Sequence, residues 1–425
     1  MADGRLLIVT YHFPPSSASG SFRMLGFARH LPAHGWGTVV VAPPSLPWEP
    51  VDADLADRVP RGTAVYHVPY TKSRIVRKLA LFGGWLPGAA RACAAAVREQ
   101  RPDAVLTSGP PHQVHGLGLW LKRRYGLPWL ADFRDPWYAT GRMDAGRGLR
   151  RWTIGAQEAA VMRGADAVIA NAPNACKALC DAHRRHREKF VTLTNGYDRE
   201  TFEALAGTSP APPRPPGSAA RVVHAGAIYV GRDPRPFLDA VKTLTSAPGA
   251  GRVPLEVSFF GPKPESGMDL TGEARDRALS DRVRDHGQVP YARALREMAG
   301  ADINLLMDTP GRSVGVPAKL YEYIGAGRPV LALGEPAGDL ARVLAESGIP
   351  YRIAPPGDSP AIAAALAELA RESDDGPRER TDPHRFSREA IAGRLAALLD
   401  RLTGRERGTD PADEACAEPA ALVAS

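Results

Sequence analysis

Short, mostly apolar runs alternate along most of the chain with longer stretches whose apolar residues recur every three or four positions. The runs "RLLIVTY" (5–11), "GTVVVAPP" (37–44), "AVYHVP" (64–69), "DAVLTSGPP" (103–111), "PWLADFRDPW" (128–137) and "DAVIANA" (166–172) read as strands, followed by "KFVTLTNGYD" (189–198). The periodic stretches between them predict helices near 22–35, 88–100, 113–125, 148–163 and 174–183. "GTSPAPPRPPGSAA" (207–220), dense in proline and small residues, reads as a linker. The alternation then restarts with strands at 221–228, 255–262, 283–289, 301–307, 328–333 and 350–355. Helices are expected at 235–245, 271–284, 291–299, 338–346, 359–372 and 386–403. Apolar strands alternating with helices imply parallel sheets covered on both faces. The fold class is therefore α/β: two doubly wound parallel-sheet domains, 1–206 and 221–385, facing a central cleft. The linker 207–220 joins them, a last helix spans 386–403, and the small, polar tail 404–425 is expected to be disordered.

Composition narrows the function classes. At 425 residues and 44% hydrophobic, the chain exceeds one ordinary core. The net charge of +7, from 54 basic and 47 acidic residues, favours anionic ligands. The basic stretches "LKRRYG" (121–126) and "HRRHREKF" (183–190) read as exposed helix ends, so no nucleic-acid partner is expected. Cys93, Cys176, Cys180 and Cys416 form no disulfide or zinc pattern. With no signal-like leader and no apolar run of about 18 residues, a cytoplasmic protein is expected. The segment 71–88 mixes Arg74, Arg77 and Lys78 with Ile75, Leu79, Phe82 and Trp85; it suits either a peripheral membrane contact or an ordinary helix with one solvated face.

Three loops carry the chemistry. After the first strand, "YHFPPSSASGSFR" (11–23) offers Gly20 alone, so a nicotinamide dinucleotide is not expected. What remains is a small-residue loop entering a helix N-terminus with Arg23 inside it, an arrangement attractive to anions. In "HAGAIYVGRDPRPF" (224–237), Gly226 and Gly231 allow tight turns, and Arg232 and Arg235 offer planar donor forks suited to phosphate. In "DTPGRSVGVPAKLYE" (308–322), the backbone at Ser313, Gly315 and Val316 and the Lys319 ammonium face an anion, and Glu322 is an acceptor for hydroxyls. Pro317 is placed at the first helical position. The one Asp-x-Asp considered for metal, Asp52 and Asp54, lies in an early polar loop, and no metal is expected.

Taken in order, these stretches and "VPAKLYEYIGAGRPVLAL" (316–333) resemble the retaining glycosyltransferases of family 4, over about residues 5–360. The resemblance implies the GT-B architecture: two Rossmann-like domains, a nucleotide-sugar donor of UDP or GDP type held mainly by the second, an acceptor held mainly by the first, and a C-terminal helix crossing back to the first. Glu322 matches the second glutamate of the family's Glu-x7-Glu motif, which binds ribose, and Val314 stands where the first would be. The family's Arg-x4-Lys pair falls on Ala227 and Arg232, with Lys319 as the replacement cation. Gly20 matches the glycine that approaches the diphosphate, and "HGQV" (286–289), ending at Val289, falls where the base would bind. Arg134 occupies the position of the family's catalytic-site histidine. The implied donor set is Gly20, Gly226, Arg232, Val289, Ser313, Gly315, Val316, Lys319 and Glu322. The acceptor set is Arg23, His112, His115 and Arg134. Arg232 and Lys319 would stabilise the departing diphosphate without a cofactor or metal, and Asp132, Asp135 or His115 would orient the nucleophile. Two other readings share this frame: a sugar-nucleotide epimerase, and a sugar-nucleotide-binding protein without turnover.

Overall fold

A computed structural model describes residues 4–45, 51–70, 84–135, 137, 149–208, 218–372 and 384–405. Most of the 71–88 segment, the centre of the 207–220 linker and the tail from 406 lie outside the described residues. The chain divides into two compact units, Met1–Asn195 with Arg388–Ser425, and Gly196–Ser387.

In the first unit the elements run β1 (Gly4–Thr10), α1 (Ser19–His30), β2 (Trp36–Ala42), α2 (Ala53–Asp57), β3 (Ala64–His67), α3 (Leu86–Gln100), β4 (Ala104–Gly109), α4 (His115–Tyr125), β5 (Trp129–Phe133), α5 (Leu149–Gly164), β6 (Ala167–Ala170), α6 (Pro173–Ala182) and β7 (Phe190–Thr192). The strands form one parallel sheet in the order β3-β2-β1-β4-β5-β6-β7. β1, "GRLLIVT", is buried at every position except Arg5, as a strand covered on both faces requires. Asp52, read as part of an early polar loop, caps α2, its carboxylate accepting from the Asp54 N–H at 3.0 Å.

The second unit holds α7 (Arg199–Thr208), β8 (Ala220–Ala225), α8 (Arg235–Ser246), β9 (Leu255–Phe260), α9 (Leu270–Asp276), β10 (Val283–Asp285), α10 (Tyr291–Ala299), β11 (Ile303–Met307), α11 (Lys319–Ala326), β12 (Val330–Leu333), α12 (Asp339–Ser347), β13 (Tyr351–Ala354) and α13 (Ser359–Glu372). Its sheet is also parallel, ordered β10-β9-β8-β11-β12-β13. In each sheet the order reverses beside the first strand, between β1 and β4 and between β8 and β11. Such reversals open a crevice at the carboxyl ends of the strands, where ligands of doubly wound sheets bind.

The last helix, α14 (Arg388–Thr403), belongs to the first unit, where Ile391, Leu395 and Leu399 join the core around Leu6, Ile8, Phe27 and Trp36. Trp36 Nε1 donates to the buried Asp400 carboxylate at 2.9 Å. Gly26 on α1 admits it closely, since a methyl group there would lie 2.9 Å from Arg388 Cδ.

Two expectations shift. The boundary near 206 falls instead at 195, because α7 packs with the second unit: Tyr197 and Phe202 meet edge-on, and a methyl at Gly325 would lie 2.6 Å from Tyr197 Cδ2. α11 begins at Lys319 rather than at Pro317, whose carbonyl accepts from the Leu320 N–H at 3.0 Å. It ends at Gly327, whose φ of 64° is the left-handed conformation glycine adopts without strain.

Candidate functional site

At the crevice of the second unit, β8 ends in His224 and Ala225, β11 leads into Asp308, and α11 presents Lys319 and Glu322. Gly226 turns with φ 149°, and a methyl there would lie 3.3 Å from Lys319 Cε, so the bare backbone and this lysine share one space. Lys319 Nζ lies 2.6 Å from Glu322 Oε2. The glutamate is 7% exposed and also accepts from Tyr291 Oη at 2.7 Å, so the pair is not a solvated surface bridge. Asp308, 2% exposed, draws in two arginines: Arg312 Nη1 at 3.1 Å and Arg232 Nη2 at 3.6 Å. Arg232 also lies over the Tyr229 ring, 5.0 Å from its centroid. Three cations thus surround two buried carboxylates, a surplus that favours an anion.

His224 adds a neutral acceptor. Its Nδ1 bonds the Leu305 carbonyl at 2.9 Å, and as a carbonyl only accepts, Nδ1 carries the proton. Nε2 is buried with no hydrogen-bond partner among the described residues. Burial, with the charges of Lys319 and Arg232 nearby, holds its pKa down to about 4.

The loop before α11 departs from its expected role. The Gly315 N–H donates to the buried Asp339 carboxylate at 2.7 Å, so it is spent inside the protein. Gly315 has φ 83°, Val316 is buried, and Ser313 is exposed, its carbonyl accepting from the Asp339 N–H at 3.1 Å. Val289 is half-buried between β10 and α10, beyond His286, whose ring stacks on Phe260 at 4.4 Å. Arg235, the second fork, is tied to Asp233 on the surface.

At the crevice of the first unit, Gly109 at the end of β4 is the hub. Its carbonyl accepts from Arg134 Nε at 3.2 Å, and a methyl on it would lie 2.9 Å from His112 Nδ1 and 3.1 Å from His115 Nε2. Arg134 Nη2 donates to the Pro110 carbonyl at 2.6 Å. His112 stacks on Trp137 at 4.8 Å and His115 on Phe133 at 4.6 Å. Thr107 Oγ1 bridges Trp129 Nε1 and His115 Nδ1, each at 2.8 Å. Burial and the Arg134 charge hold the His112 pKa down to about 3; burial, then His112 and Arg134, keep that of His115 well below its ordinary value. Gly20 touches the same group, as a methyl there would overlap the Arg134 guanidinium.

Two expected site residues here are engaged in holding the unit together. Arg23, expected at the acceptor, is 6% exposed; its Nη2 and Nε grip Asp132 at 2.9 and 3.1 Å, and it donates to the carbonyls of Leu193 and Thr194 at 3.0 and 2.6 Å. Asp132, expected to orient a nucleophile, is fully buried with both oxygens taken by Arg23 and one also accepting from Ser108 Oγ at 2.8 Å. Asp135 is exposed. The sequence reading missed Asp308, Arg312, Tyr291 and His224. The signal for His224 was present: one buried polar residue in the strand "RVVHA", at the carboxyl end where ligands bind.

No group of three or more His, Cys, Asp or Glu that could hold a metal occurs among the described residues, and none of their helices is long and apolar enough to cross a membrane. Along 95% of its length the chain superposes on a sucrose-phosphate synthase from Thermosynechococcus elongatus, covering all of that chain, with TM-score 0.62 and 17% identity. A putative UDP-N-acetylglucosamine 2-epimerase from Listeria monocytogenes matches 95% of the chain and 98% of its own, with TM-score 0.57 and 13% identity. Two parallel-sheet α/β units with a crevice at each strand-order reversal define the fold class, which is GT-B. Its residues 21–196 match the glycosyl transferase 4-like domain, in keeping with the family 4 resemblance of the sequence. The chain is also 32% identical over 104 residues to the probable glycosyltransferase WbjE of Pseudomonas aeruginosa. That match spans about a quarter of either protein: 24% of this chain and 26% of the relative.

Proposed function

We propose that the protein is a retaining, metal-independent glycosyltransferase that moves a sugar from a UDP- or GDP-sugar to an acceptor such as an envelope glycan, a lipid-linked sugar or a specialised metabolite. The observation that carries this reading is the second-unit crevice, where Arg232, Arg312 and Lys319 surround Asp308 and Glu322 beside the bare Gly226 backbone. A departing nucleoside diphosphate develops negative charge, and fixed cations in a partly dry crevice stabilise it without reorganising. Glu322, held by Tyr291 and Lys319, accepts from ribose hydroxyls. The acceptor is the business of the first unit, with His112, His115 and Arg134 as its contacts.

A thermal-shift screen of UDP, GDP, TDP and ADP with their sugars tests the donor reading. At least one nucleotide raises Tm by several degrees; no shift from any of them removes the donor site. Glu322→Ala is expected to weaken the nucleotide that binds by roughly 10- to 100-fold, the scale of one hydrogen bond to a charged group. Unchanged affinity would return Glu322 to a packing role. The superposition on a putative epimerase keeps that second reading in view. Incubating the sugar nucleotide alone separates the two, since an epimerase produces a new sugar nucleotide with no acceptor present.

A further inference from the structure

Arg134 is 7% exposed, and among the described residues no carboxylate forms an ion pair with it. Its Nε and Nη2 are held by the carbonyls of Gly109 and Pro110, and Nη1, pressed against Gly20, is left over. Asp132 and Asp135 attract it from a distance, but Asp132 is already neutralised by Arg23, and Asp135 faces solvent. A buried guanidinium without a counter-charge is costly, so its surroundings should be completed by an anion.

The neighbours fit that completion. Gly20 is the second residue of α1, a twelve-residue helix whose N-cap is Ala18, with no side-chain cap and no acidic residue in its first turn. Its N-terminal dipole end is therefore not neutralised by a side chain. His112, 3% exposed, has no hydrogen-bond partner at Nδ1 or Nε2 among the described residues. Its neutral imidazole has one N–H to donate and one nitrogen to accept with. A guanidinium edge, an uncapped helix end and an orphaned imidazole suit a phosphate or carboxylate that also carries hydroxyls. They do not suit a neutral sugar alone, which would leave the guanidinium unpaired.

We propose that Arg134, the N-terminus of α1 and His112 form an anion-binding site in the first unit that holds a phosphate or carboxylate group of the acceptor. The acceptor is thus an anionic molecule, such as a sugar phosphate or a sugar acid. Assigning the anion to an acceptor rests on the glycosyl-transfer reading; the existence of the site does not. Because donor diphosphates carry the same chemistry, the test must separate the two sources.

The full-length protein is titrated with inorganic phosphate, with sodium chloride at matched ionic strength as the control for screening. Phosphate is expected to raise Tm above the control, since a ligand that binds only the folded state stabilises it by mass action. Arg134→Gln abolishes at least half of that rise. Gly20→Ala, whose methyl displaces the guanidinium without removing its charge, does the same. Arg312→Gln, in the second unit, leaves most of it. The titration is repeated with a saturating nucleoside diphosphate, where phosphate still adds its increment. No rise with phosphate, or an equal rise in wild type, Arg134→Gln and Gly20→Ala, overturns the site. Loss of the increment under nucleoside diphosphate overturns the acceptor assignment and gives the site to the donor. If no nucleotide binds while the phosphate rise still depends on Arg134, the donor reading fails and the anion site stands.

Discussion

Arg23→Met destabilises the protein by about 3–5 kcal/mol, read as a drop in the urea midpoint followed by circular dichroism. The substitution keeps the length of the side chain and removes its charge. It leaves Asp132 fully buried beside Ser108 alone, and it orphans the carbonyls of Leu193 and Thr194, which Arg23 now satisfies. The magnitude belongs to the stranded carboxylate more than to the lost attraction, so the reciprocal change is informative. Arg23→Met with Asp132→Leu removes both charges and recovers most of the loss, because replacing a buried ion pair by apolar groups is often near neutral. A single-variant loss below about 1 kcal/mol would show that water reaches Asp132 and that the clamp is not structural.

Acid lability is the second large effect. His112, His115 and His224 are buried and neutral in the folded state, with pKa values held down to about 3 for His112 and about 4 for His224, and well below the ordinary value for His115. In the unfolded chain each titrates near its reference value of about 6.5. Between those values the unfolded state binds more protons, so stability falls as pH drops through about 6.5 and levels off only near the folded-state values. From pH 7 to pH 5 each such imidazole contributes a loss on the order of 1–2 kcal/mol. Urea titrations at pH 7.5, 6 and 5 read this directly. His112→Phe keeps the ring between Trp137 and Phe133 and flattens the slope by its share. Coincident midpoints at pH 7.5 and 5 would mean that these rings are protonated in place.

Much of the fold was legible because its strands are short apolar runs that alternate with longer periodic stretches. β4 and β11 each sit inside the run that announced them, and β1 starts one residue before its own. α7 was not legible. Its apolar anchors, Phe202 and Leu205, are few, and it runs straight into the proline-rich stretch. The loop chemistry was read in kind but not in assignment. A sequence shows that Arg23, Arg134, Arg232 and Arg312 are cations near strand ends, and not which of them has a carboxylate waiting. Asp132 lies 109 positions from Arg23 along the chain, and their pairing exists only because the end of β5 lies beside the beginning of α1. The same blindness sent Gly315 to a phosphate when its N–H is taken by Asp339, 24 positions on.

The placement of α14 in the first unit also bears on how the nascent polypeptide matures. Residues 196–387 are complete as a unit before the ribosome has made the helix that closes the core of the first. The segment synthesised first is thus the one that must wait, with Leu6, Phe27 and Trp36 lacking their cover until Ile391, Leu395 and Leu399 emerge. A stalled or prematurely terminated product ending before 388 would carry a finished second half and a sticky, chaperone-dependent first half.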